Sequence, residues 1–260
     1  MNVWQAIVLG FIQGFTEFLP VSSSGHLILT EHWFGIKEGA VFYSVMLHVG
    51  TLIPVILVLW KEIIGLFKKP FNKLLYLILA TIPAGVVGLI LHFTVDLDAF
   101  FAEKYWLIGI TFLLTAGELL FSEIYSKKQQ LNNPVGLKQS LFMGGGQALG
   151  VIPGLSRSGT TVTFGTLAKT EKTQNAAFTF LMSIPIIIAA AALEGFEVVK
   201  SGAGEISVMP LLLGMLTAGI CGYIAVKFMF AVIKKANYKW FSLYLVLIST
   251  ATFITYGLGV

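Results

Sequence analysis

The chain has 260 residues, of which 56% are hydrophobic and only 12% charged. Soluble domains carry about a quarter charged residues, so this composition excludes an ordinary aqueous fold and places the chain in a bilayer. The formal net charge of +4 does not indicate nucleic acid. The lysines cluster between apolar runs instead of lining one face with interleaved aromatics.

Residues 1–19 are apolar, but they lack a basic leader and are interrupted by Gln13 and Glu17. They are expected to be retained structure that is too short and too polar to span a bilayer. The run Leu19-Pro20-Val21-Ser22-Ser23-Ser24-Gly25-His26 breaks the helix, and 27–33 resumes it. This pattern predicts a re-entrant hairpin, because irregular backbone survives at membrane depth only where it is buried in protein or lines a cavity. Six apolar stretches follow, at 40–60, 74–93, 105–121, 176–196, 208–230 and 240–257. Each is near the ~20 residues that a spanning helix needs. Between the third and fourth lies a second short, glycine-broken segment, 137–167. Cys221, the one cysteine, sits in an apolar run, so there is neither a disulfide framework nor a cysteine metal site.

The expected fold class is an all-α polytopic membrane protein, one membrane domain over 1–260, built from repeats at about 1–126 and 137–260. A shift of 134 positions lays Gln13 on Gln147, Ser22 on Ser156, Ser23 on Arg157, Ser24 on Ser158 and Gly25 on Gly159. Pro20 and Pro153 agree only with a one-residue slip. Each half reads as one broken hairpin plus three spans. An odd number of spans inverts the second half, an architecture in which broken helices meet near the midplane and form the site. The lysines of 61–73, 127–138, 169–172 and 227–239, 13 of the 16, would share one side. Lys37, Lys104 and Lys200, with Asp96, Asp98 and Glu205, would lie on the other. The lysine-rich side is then cytoplasmic, with both termini outside. The two hairpins enter from opposite leaflets, and their tips meet.

The only arginine in the chain, Arg157, stands in Gly154-Leu155-Ser156-Arg157-Ser158-Gly159-Thr160-Thr161. A permanently charged fork beside hydroxyls and glycine amides suits a phosphate group. Gln13 and Glu17, four apart, share one helix face. A carboxylate at membrane depth reads as functional: it can ligate a divalent cation, orient water, accept a proton, or pair with Arg157. His26 can move protons or attack phosphorus, or serve as base to a neighbouring serine; beside Glu17 and opposite Arg157, these readings are preferred to serine capping with a buried histidine. His48 and His92 are expected to be satisfied core residues. Glu118, Glu123, Glu194 and Glu197 are assigned no chemistry.

The motifs Gln13-x-x-x-Glu17, Pro20 to His26 and Pro153 to Thr161 together resemble the bacterial undecaprenyl pyrophosphate phosphatase family, the bacitracin-resistance type, over essentially the whole chain. The resemblance implies metal-assisted hydrolysis of undecaprenyl pyrophosphate to the monophosphate carrier and inorganic phosphate, recycling the carrier for peptidoglycan synthesis. It implies Glu17, Ser23, His26 and Arg157 as catalytic residues. Gln13, Ser22, Ser24, Gly154, Ser156, Ser158 and Thr161, with Arg157, would hold the substrate. Glu17 would hold Mg²⁺ or Ca²⁺, and the site would open to the outer face of the cytoplasmic membrane. Some members carry Glu where this chain has Gln13, so a cation held by two carboxylates of this helix is not possible here. A lipid-phosphate flippase is the alternative, since inverted repeats with broken helices also build carriers.

Overall fold

A computed structural model describes residues 1–36, 40–201 and 207–259. Lys37 and Glu205, predicted at the lysine-poor end, lie outside the described residues. The described chain is helical throughout. It carries no strand, only an isolated parallel bridge between Asn133 and Thr170. The first hairpin is α1 (Val3–Thr16) and α2 (Ser23–Phe34). Then come α3 (Ala40–Val58), α4 (Trp60–Leu66), α5 (Asn72–Thr94), α6 (Leu97–Glu103) and α7 (Trp106–Lys128). The second hairpin is α8 (Leu137–Leu149) and α9 (Arg157–Leu167). The chain ends with α10 (Lys172–Ser201), α11 (Val208–Lys235) and α12 (Lys239–Leu258).

Length separates the two kinds of helix. At 1.5 Å per residue, the hairpin helices reach only about 17–21 Å, short of a ~30 Å hydrocarbon core. Five helices (α5, α7, α10, α11 and α12) are long and apolar enough to cross, and α3 with α4 makes a sixth if that bent pair is one span. All six coincide with the predicted stretches. Two details differ from the prediction. The stretch 40–60 does not run straight: α4 leaves α3 at 83°. A short helix, α6, fills the link after α5, where Asp96 accepts from Ala99 N at 3.0 Å and caps it.

The packing repeats across the two halves. α1 lies along α11, and α8 lies along α5. Gly10 abuts the backbone of Gly214, and Gly144 abuts that of Ala80, where a Cβ would stand 2.6 Å from the carbonyl oxygen. Gly144 and Gly214 are Gly10 and Ala80 displaced by 134. The same contact is therefore made twice, each hairpin helix docking on the other half. With no aqueous driving force between helices in lipid, such close backbone approach through small residues is what holds them together.

The lysine-rich loops gather at one end. Glu123 in the last turns of α7 accepts from Tyr238 N at 2.7 Å and Lys239 N at 2.9 Å, joining that end to the α11–α12 turn. Asn133 N donates to Lys169 O, so the segments before α8 and α10 meet there as well. At the opposite end Tyr43 bonds the backbone of Ser207.

Candidate active site

Pro20 and the serines end α1 and restart the chain as α2, whose N-cap is Ser22. Ser22 Oγ accepts from Gly25 N at 3.4 Å. The second hairpin does the same 134 residues on: Ser156 caps α9 and accepts from Gly159 N at 3.1 Å. Two helix N-termini thus face each other. Gly154 N donates to Ser24 Oγ at 3.4 Å and Ser158 Oγ to Leu19 O at 3.1 Å, so the tips touch. Gly154 has φ +84°, and a Cβ there would overlap Thr111, so only glycine fits the turn.

Between the tips lies a cavity of about 200 Å³ lined by Thr16, Glu17, Ser22, Ser23, Ser24, His48, Gly150, Ser156, Arg157 and Ser158, with an apolar wall of Val45, Val151, Leu155, Ile186, Ile187 and Ala190. Glu17 is its centre. One carboxylate oxygen pairs with the Arg157 guanidinium. The other accepts from Ser23 Oγ at 2.7 Å and Gln13 Nε2 at 3.0 Å, and lies 3.2 Å from His48 Nε2. The Glu17 side chain is 2% exposed and that of Arg157 16%. Burying a carboxylate so deeply is tolerated only because both of its oxygens are paired, one with the guanidinium and the other with neutral donors and an imidazole. Two helix N-termini and a guanidinium around one cavity form a site for an anion of phosphate type.

Most predicted residues converge here, with the following differences. His48, expected among inert core residues, is the imidazole that faces Glu17, its Nδ1 donating to Ser44 O at 2.8 Å. Nothing in the α3 sequence could reveal this, because the partner comes from another helix. His26, expected opposite Arg157, instead turns away. Its Nδ1 donates to Ser22 O at 2.7 Å, its Nε2 bonds Tyr244 OH at 2.6 Å, and its ring packs on Phe112. It does not line the cavity. Ser22, with φ 68°, is a non-glycine residue in the left-handed half of the map, and the His26 hydrogen bond to its carbonyl helps hold that conformation. Thr161 is likewise buried away from the cavity, its hydroxyl donating to Arg157 O at 2.7 Å. Gln13 lies behind Glu17, with Oε1 buried and without a hydrogen-bond partner. Among the described residues no group of three or more His, Cys, Asp or Glu comes together as a metal centre.

The apolar wall continues into a cavity of about 870 Å³ that shares Val45, Val151, Ile186 and Ala190 with the first. Ala84, Gly85, Gly88 and Leu89 of α5 and Ala189, Ala192, Leu193 and Phe196 of α10 line it. It ends at His92, Asp96 and Glu194, the lysine-poor end of those helices.

Residues 6–251 match the family model described as bacitracin resistance protein BacA. Over its full length the chain is 35% identical to an undecaprenyl-diphosphatase of Carboxydothermus hydrogenoformans, covering 99% of that protein. It is 37% identical to an undecaprenyl-diphosphatase of Bacteroides fragilis, with 98% of each chain covered. Undecaprenyl-diphosphatase 4 of Bacillus cereus is 38% identical over 94% of this chain and 93% of its own. With the two-hairpin helical fold and the match running nearly end to end, the chain belongs to the bacitracin resistance protein BacA family.

Proposed function

We propose that the chain hydrolyses undecaprenyl pyrophosphate to undecaprenyl phosphate and inorganic phosphate in the bacterial cytoplasmic membrane, recycling the lipid carrier for peptidoglycan synthesis and contributing to bacitracin resistance. The observation that carries this reading is the convergence of two helix N-termini, Arg157 and Glu17 on one cavity at the hairpin tips. The names of its relatives favour hydrolysis over a flippase.

The terminal phosphoryl group enters between the first turns of α2 and α9, held by their amides, by the hydroxyls of Ser24, Ser156 and Ser158, and by Arg157. Arg157 exchanges its carboxylate partner for phosphate, and Glu17 is released as a base. Ser23 Oγ, already directing its proton at Glu17, is the nucleophile this geometry favours. It bonds to phosphorus, the bond to the bridging oxygen breaks, the proton passes to Glu17, and undecaprenyl phosphate leaves. Water then attacks the phosphoserine, Glu17 returns its proton to the departing serine oxygen, and the water's protons leave with inorganic phosphate. Positioning and charge neutralisation carry most of phosphoryl transfer, which suits a site with so many donors. His26 acts through the backbone of Ser22. His48 and Gln13 orient Glu17.

A hard divalent cation, Mg²⁺ or Ca²⁺, would be held by the Glu17 carboxylate and Ser23 Oγ, the oxygen donors of the first hairpin that line the cavity. Such an ion supplies charge neutralisation on the diphosphate. The polyprenyl tail leaves along the larger apolar cavity between α5 and α10. That cavity runs toward the lysine-poor end, which the positive-inside rule places outside, together with both termini.

The test is phosphate release by purified chain given the lipid diphosphate, with and without chelator, for wild type, Glu17→Ala, Ser23→Ala and Arg157→Ala. Release by wild type and its collapse in the variants support the proposal. Transbilayer movement without phosphate release refutes it.

A further inference from the structure

α3 stops at Val58, and α4 leaves it at 83°, so α4 runs along the bilayer surface when α3 crosses. The segment from α4 into α5 exposes Trp60, Ile64, Phe67, Phe71 and Leu75 while carrying Lys61, Lys68, Lys69 and Lys73. Exposed aromatics mixed with lysines mark a segment seated at headgroup level.

Behind this segment lies a cavity of about 340 Å³, separate from the catalytic pair. Its polar lining includes Lys61, Glu62 and Lys73, and its apolar floor includes Leu66, Phe178 and Leu181. Neither lysine forms an ion pair among the described residues. Two ammonium groups and one carboxylate leave one positive charge uncompensated. A Cβ added to Gly65, on the cavity wall, would meet nothing within 4 Å, so the entrance is open.

We propose that this cavity binds one anionic glycerophospholipid from the leaflet beside the lysine-rich loops. Its phosphate sits between Lys61 and Lys73, its headgroup hydroxyls donate to Glu62, and an acyl chain covers Leu66, Phe178 and Leu181. One negative charge neutralises the lining, whereas a zwitterionic lipid leaves the excess charge in place. Basic pockets between spanning helices on the lysine-rich side have the chemistry for such headgroups. The bound lipid ties α4 and α5 to α10, and α3, α5 and α10 wall the catalytic cavities at their other ends. The proposal depends only on the membrane setting and stands apart from the hydrolytic reading.

The experiment is native mass spectrometry of the detergent-purified full chain titrated with phosphatidylglycerol or phosphatidylcholine. Wild type is expected to retain one phosphatidylglycerol in preference to phosphatidylcholine. The Lys61→Gln/Lys73→Gln variant should bind it about thirtyfold more weakly, from the contribution of two lysines near a membrane surface. Ala177→Trp, which fills the floor and keeps both lysines, should lose the same lipid. Lys234→Gln/Lys235→Gln, elsewhere on the lysine-rich end, should retain it. Undiminished binding by the Lys61/Lys73 variant, or equal loss in the Lys234/Lys235 variant, overturns the proposal.

Discussion

Replacing Arg157 by lysine keeps the charge and removes the fork. In the resting site the guanidinium meets Glu17 from the first residue of α9, one of its nitrogens bonding a carboxylate oxygen at the wall of the cavity. A lysine ammonium reaches either Glu17 or a phosphoryl oxygen as a point charge, and cannot grip two oxygens in one plane. Two charge-assisted hydrogen bonds, at about 1.5–3 kcal/mol each, are then reduced to one. Expressed in the transition state, that loss lowers kcat/KM by about 10–100-fold. Folding is expected to survive, because Glu17 retains Ser23, Gln13, His48 and a positive neighbour. Arg157→Met differs: a buried carboxylate loses its main counter-charge, and stability falls by about 3–5 kcal/mol. Phosphate release from the lipid diphosphate and thermal unfolding, measured on the same preparations, separate the two effects. An Arg157→Lys protein with kcat/KM within threefold of wild type would refute the bidentate role.

Three further outcomes follow from the geometry. His48→Ala removes a donor from Glu17 and should lower kcat about tenfold or more at similar expression, whereas a mere core histidine would affect unfolding temperature alone. His26→Ala and Tyr244→Phe should both impair turnover partially, because they act on the Ser22 tip together; a total loss confined to His26→Ala, with Tyr244→Phe normal, would show direct participation of the imidazole. Glu171 accepts from Thr173 N and Gln174 N, both at 2.9 Å. Burial pushes its carboxyl up, but these hydrogen bonds outweigh it and hold the group below its ordinary 4.5. A depressed carboxyl contributes stability above its unfolded value and loses it as pH falls through the folded one. The unfolding-temperature gap between wild type and Glu171→Ala should therefore be full at pH 7 and narrow as pH falls below the ordinary carboxyl value of 4.5.

Gly10 on Gly214 and Gly144 on Ala80 are one contact made twice. The weak offset of 134 seen between polar residues of the tips recurs in the packing of helices that share little else. Small residues are needed wherever two backbones approach within a side chain's width, so this signal survives where side-chain identity does not.

Amino-acid order alone determined the local facts: which segments are apolar for long enough to cross, where Pro20, the serines and Gly154 break the hairpins, and that Arg157 stands among hydroxyls. These follow from near-neighbour chemistry, hydropathy and turn geometry, which do not need the rest of the chain. Only the tertiary structure decided which imidazole faces Glu17. His26 lies in the motif and turns toward Tyr244, while His48 lies in the apolar helix α3 and turns toward the carboxylate. The bend after α3 and the cavity behind it were hidden for the same reason. A side chain's direction is set by what packs around it, and those partners come from helices distant in sequence: the end of α1 for His48 and α12 for His26.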